Sequence, residues 1–126
     1  MPYPATRFVA EAREVRRFRS PAFRLEQRQE AAVRMQLEKI LRSPLFCSSG
    51  PMQRFLALVV TESLAGRAER LKEYTMGIEA FDRPETFSPH EDPIVRVEAR
   101  RLREKLTRYY QQYGREDEVV IEVPRG

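Results

Sequence analysis

At 126 residues the chain can bury one modest core but not two. Charged residues make up 33% of it and hydrophobic residues 41%, with a net charge of +4, a balance that fits a soluble globular domain inclined toward anionic partners. No apolar run approaches the ~18 residues of a membrane span, the N-terminus lacks a signal peptide's apolar core, and the single cysteine, Cys47, has no partner for an internal disulfide, so contact with a membrane is not expected and a reducing, cytoplasmic setting is.

Charge is concentrated toward the ends of the chain. Residues 1–42 carry ten basic and five acidic side chains, residues 43–94 five and eight, and residues 95–126 eight and six. The opening, "MPYPATRFVAEAREVRRFRSPAFR", mixes proline, arginine and isolated aromatics without a sustained period, so residues 1–24 are expected to be a basic arm, irregular or loosely helical. From Leu25 the period changes. Val33, Leu37, Ile40 and Leu41 share one face of a helix over residues 25–42, which Ser43 and Pro44 stop.

"SSGPMQRFLALVVTESLAG" then supplies a cap at Ser49 or Gly50, a first-turn proline at Pro51, and an apolar face of Met52, Phe55, Leu56, Val59, Val60 and Leu64. Gly66 supplies the left-handed residue that ends this central helix. Leu71, Tyr74, Ile78 and Phe81 repeat at helical spacing in "RLKEYTMGIEAFD", with Gly77 a point where another helix can come close. "RPETFSPHEDP" reads as a loop, and Asp92 with Pro93 reads as the N-cap and first turn of the next helix.

That helix, residues 93–113, carries six basic side chains between Arg96 and Arg108. On an ideal wheel Val95, Ala99, Leu102, Leu106, Tyr109 and Tyr113 lie within about 40° of one direction, the core side. Arg96, Arg100, Arg103 and Thr107 form a flank that contains no acid, unlike the interleaved Glu and Lys of a merely solvated face. Arg101, Glu104 and Arg108 continue around the back, with the apolar Val97 among them. Arginine grips phosphate bidentately and reads guanine edges, and valine can meet a thymine methyl, so the pattern points to nucleic acid. Gly114 ends the helix, and "VVIEVP" alternates as a short strand before Arg125 and Gly126.

Three stretches now resemble one known class. "LKEYTMGIEAFD" lies without a gap on the second helix of the OmpR/PhoB-type winged helix-turn-helix, typically "VSREELLERVWG", with Phe81 in the tryptophan position. "VRVEARRLREKL" is similar to that class's recognition helix, commonly "VDVHIRRLRKKL", and "IEVPRG" to its wing strand, "RTVRG". Together the matches run over residues 50–126. The longer phrase from Thr61 to Tyr110 resembles an N-terminal module of large bacterial proteins that carry TolB-like, tetratricopeptide-repeat or cyclase-type signalling regions.

The resemblance implies a mainly α winged helix-turn-helix, with a three-helix core, a wing and an additional N-terminal helix. Its implied function is that of a DNA-binding transcriptional regulator domain of a bacterial signalling protein. Residues 72–82 would support the helix of residues 93–113 in the major groove of double-stranded DNA. Arg96, Val97, Arg100 and Arg103 would approach bases or flanking phosphates, Arg101 and Thr107 would lie nearer the backbone, Arg108 would belong to the same DNA-binding set, and Arg125 would reach a minor groove or phosphate.

Two departures from the class stand out. A helix replaces its opening sheet, and the wing lacks a returning strand, which implies a chain cut from a longer protein and an unpaired edge. The alternative function is an interaction module that uses the same scaffold to hold a protein partner or a homodimer.

No catalytic constellation emerges. His90, the only histidine, lies in "HED" without metal-ligand spacing, Glu91 and Asp92 fall in a loop where Asp92 has a capping role, and no glycine-rich run follows a strand to cradle phosphate. The expectation is a binding domain with no enzyme activity and no metal, cofactor or small-molecule substrate.

Overall fold

A computed structural model describes residues 11–14, 22–67 and 71–123. In chain order the elements are strand β1 (Glu11–Glu14), helices α1 (Ala22–Arg42), α2 (Gly50–Leu64), α3 (Glu73–Phe81) and α4 (Ile94–Gln112), and strand β2 (Val119–Glu122). The molecule is mainly helical, and no helix among the described residues is long and apolar enough to cross a membrane.

α2 is the axis of the core because its apolar positions recur on one face. Met52, Phe55, Leu56, Val59 and Val60 are all buried, and against them pack Val33, Leu37 and Ile40 of α1, Met76, Ala80 and Phe81 of α3, and Val95, Ala99, Leu102, Leu106 and Tyr109 of α4. Phe55 meets Phe81 edge to face with ring centroids 5.1 Å apart. Pro51 occupies the first turn of α2 after Ser49, and Gly66, at φ 74°, takes the left-handed conformation just past its end.

Two apolar stripes differ from the sequence reading. In α3 the buried face is Glu73, Met76, Gly77, Ala80 and Phe81, because the helix begins at Glu73 and leaves Leu71 buried in the preceding segment, outside its period. Tyr74 consequently turns outward, where its hydroxyl donates to the Glu85 carbonyl at 2.9 Å and its ring stacks on Phe87. Tyr113 is half exposed because α4 has already ended at Gln112. The close approach at Gly77 comes from the Phe87 ring of the α3–α4 loop rather than from another helix.

The expected irregular arm is also corrected in part. Residues 11–14 form β1, which pairs antiparallel with β2 in the register Glu11 with Glu122 and Glu14 with Val119, and helix α1 already begins at Ala22. The strand "VVIE" therefore has a partner, supplied from the N-terminal segment instead of from a returning C-terminal strand. Periodicity alone does not reveal this, since a four-residue strand gains its stability from the ladder it joins. Residues 1–10 and 15–21 of the arm, and Arg125 of the wing, lie outside the described residues.

Candidate nucleic-acid interface

α4 starts where the carboxylate of Asp92 accepts the backbone N–H of Ile94 at 3.1 Å. Its N-cap is Pro93, one residue later than the sequence suggests, but the oxygen that accepts the N–H is still one of Asp92, whose other oxygen accepts from Arg83 Nε at 2.7 Å. The loop thus fixes the opening turn of α4, and the buried stripe from Val95 to Tyr109 fixes its rotation about its axis.

With rotation fixed, each expected site residue has a definite position. Val97, Arg100, Arg101, Thr107 and Arg108 are all on the solvent side, and Val97 is 43% exposed despite being apolar. Arg101 donates to Glu98 one turn back, through Nη1 to Oε1 at 2.8 Å, an ion pair within the helix that leaves most of the guanidinium in solvent. The Thr107 hydroxyl bonds back to the Arg103 carbonyl at 3.0 Å. Glu104 is the one acid among these outward side chains, so three arginines face it on the same surface.

The flank without acids looks different once α3 is in place. Arg96 lies with Nε 3.5 Å from Oε2 of Glu73, whose side chain is only 5% exposed, and its Nη2 donates to the Pro89 carbonyl at 2.7 Å. Arg103 donates through Nε to the Val123 carbonyl at 2.8 Å, tying α4 to the end of β2. Of the three flank arginines, two thus brace neighbouring elements, and Arg100 between them points into solvent. A helical wheel cannot find Glu73, because the acid that answers Arg96 comes from another helix. Lys105 is likewise structural, donating to the Leu45 carbonyl at 3.0 Å over the Phe46 ring.

A second polar group was not anticipated. Asp117, in the turn after α4, accepts hydrogen bonds from Gln36 Nε2 at 2.8 Å and Tyr109 Oη at 2.6 Å, and pairs with Lys39. Burial alone would push its carboxyl up, but these three donors and the Lys39 charge hold it below the ordinary 3.8. Burial and the neighbouring Asp117 carboxylate drive the Tyr109 hydroxyl in the opposite direction, well above the usual tyrosine range. Tyr110, whose hydroxyl donates to the Val119 carbonyl and accepts the Ile121 N–H, is also raised, chiefly by burial. These groups join α1, α4 and β2. The signal in sequence was no more than an acid in "REDE".

Among the described residues no group of three or more His, Cys, Asp or Glu side chains is gathered as for a metal ion. No family model matches the chain, and neither a curated protein nor a solved structure does.

Proposed function

We propose that the chain is a DNA-binding domain of the winged helix-turn-helix kind, with the outer face of α4 set against double-stranded DNA and no catalytic step. The observation that carries the reading is the grouping of Arg100, Arg101 and Arg108 around the exposed Val97, on a helix whose opposite face is buried from Val95 to Tyr109. A braced helix presents its guanidiniums from a backbone that needs no further ordering, and the resemblance of residues 95–106 to a recognition helix agrees with that use. In this reading Val97 and Arg100 lie nearest the base edges, with Arg100 on a phosphate that flanks them, Arg101, Thr107 and Arg108 are the other phosphate contacts, and β2 would begin the wing.

The bracing also sharpens the expected affinity. With Arg96 and Arg103 engaged inside the domain, about three phosphates are neutralised by Arg100, Arg101 and Arg108, so binding should weaken about 40-fold between 50 and 200 mM salt. Anisotropy titrations with random-sequence duplex at several salt concentrations measure this slope. Each Arg→Ala change among the three should lower the slope by about one. Affinity that does not respond to salt sinks the reading, and absence of binding at low salt moves the choice to an interaction module.

A further inference from the structure

We propose that the Tyr110 hydroxyl and the Arg103 guanidinium stand in for a third strand along the outer edge of β2 and shut that edge against the β2 of a second copy of the chain. Among the described residues the sheet has two strands, and β1 pairs with β2 along one edge. Backbone groups of alternate residues in a strand turn to the same side, and toward α4 those of Val119, Ile121 and Val123 meet side chains instead of a strand. The Ile121 N–H donates to Tyr110 Oη at 2.8 Å, that hydroxyl donates to the Val119 carbonyl at 3.1 Å, and Arg103 Nε donates to the Val123 carbonyl at 2.8 Å. Accepting from one residue and donating to the residue two before it is what a single residue of a parallel neighbouring strand does.

The sequence of the strand says what the edge is shut against. Residues 119–123 read Val-Val-Ile-Glu-Val, four β-branched residues and one charge, and an open edge of that composition is a template for pairing. Antiparallel pairing of two copies about Ile121 sets Val119 against Val123 and Val120 against Glu122, with no like charges opposite, so the segment is complementary to itself. The bulk of α4 does not fill the space beside the strand, since a groove of about 740 Å³ lies between Thr107 and Gln111 on the helix and Val120 and Val123 on the strand. The three hydrogen bonds are therefore what closes the edge. None of them involves Val97, Arg100, Arg101 or Arg108, so the proposal does not rest on the DNA reading.

Tyr110→Phe keeps the ring that meets Tyr109 edge to face and removes the hydroxyl. Amide exchange followed by NMR should find the Ile121 N–H about fivefold faster in the variant, the size of one lost hydrogen bond. In sedimentation equilibrium the variant's mass should climb with concentration above that of the parent at equal loading, and adding Arg103→Ala should steepen the climb. Tyr110→Phe/Val120→Glu should return to the parent's mass, because the new carboxylate faces Glu122 of the other copy across the pair. If Tyr110→Phe does not melt cooperatively, Arg103→Ala alone carries the same comparison of masses. An unchanged Ile121 exchange rate, or a variant mass that follows the parent's at every concentration, overturns the proposal. So does a rise in mass that Val120→Glu leaves in place, since such an assembly does not run through β2.

Discussion

Gly77 lies under the Phe87 ring so closely that a Cβ there would overlap the ring's edge carbons. Alanine would improve the helix propensity of α3, by roughly 0.5–1 kcal/mol, yet it would force the ring off its seat, and overpacking of this kind costs about 1–3 kcal/mol. Gly77→Ala should therefore destabilise the domain in urea denaturation, and adding Phe87→Leu should return part of the loss. A Gly77→Ala protein as stable as the parent would show that the loop moves away at no cost. The sequence exposes the glycine as unusual in a helix, but the ring that meets it comes from a loop whose path no periodicity encodes.

At the scale of elements, α4 is legible on one side and hidden on the other. Its buried stripe of Val95, Ala99, Leu102, Leu106 and Tyr109 follows from helical spacing alone, because apolar burial depends on the helix's own period. The fate of its arginines does not, since an exposed guanidinium and one that braces a neighbour look identical on a wheel. Arg96→Ala removes a cation from beside the nearly buried Glu73 carboxylate and should cost about 1–3 kcal/mol of stability. Arg100→Ala should leave stability within about 0.5 kcal/mol and weaken duplex binding. Paired denaturation and binding measurements separate them, and equal stability losses in the two variants would refute the division of roles.

The whole molecule is joined where α1, α4 and β2 meet at Asp117, and that junction has a pH signature. A carboxylate whose folded pKa is depressed stabilises the fold fully above its unfolded value, near 3.8, and loses that contribution as pH falls through the folded value. Tyr109 and Tyr110 are raised, so their contribution is complete below the unfolded value of 10.0 and declines as pH climbs above it. Unfolding free energy from these groups should be level between about pH 4 and 10 and fall on either side, with Asp117→Asn less stable at neutrality and flatter in acid. An acid limb identical in Asp117→Asn and the parent would exclude Asp117 as its source. The four helices among the described residues are written in their periods, α3 only in part, whereas the arm's strand is not, because its order comes from pairing with a segment at the far end of the chain. The ladder closes a span of 111 residues between Glu11 and Glu122, and the entropy of drawing such distant points together is carried by no helix contact within residues 50–112 to the same degree. Once α1 has packed beside β2 through Gln36 and Lys39 on Asp117, only the segment between Glu14 and Ala22 separates β1 from a fixed element, so the ladder is expected to close after the helices have packed.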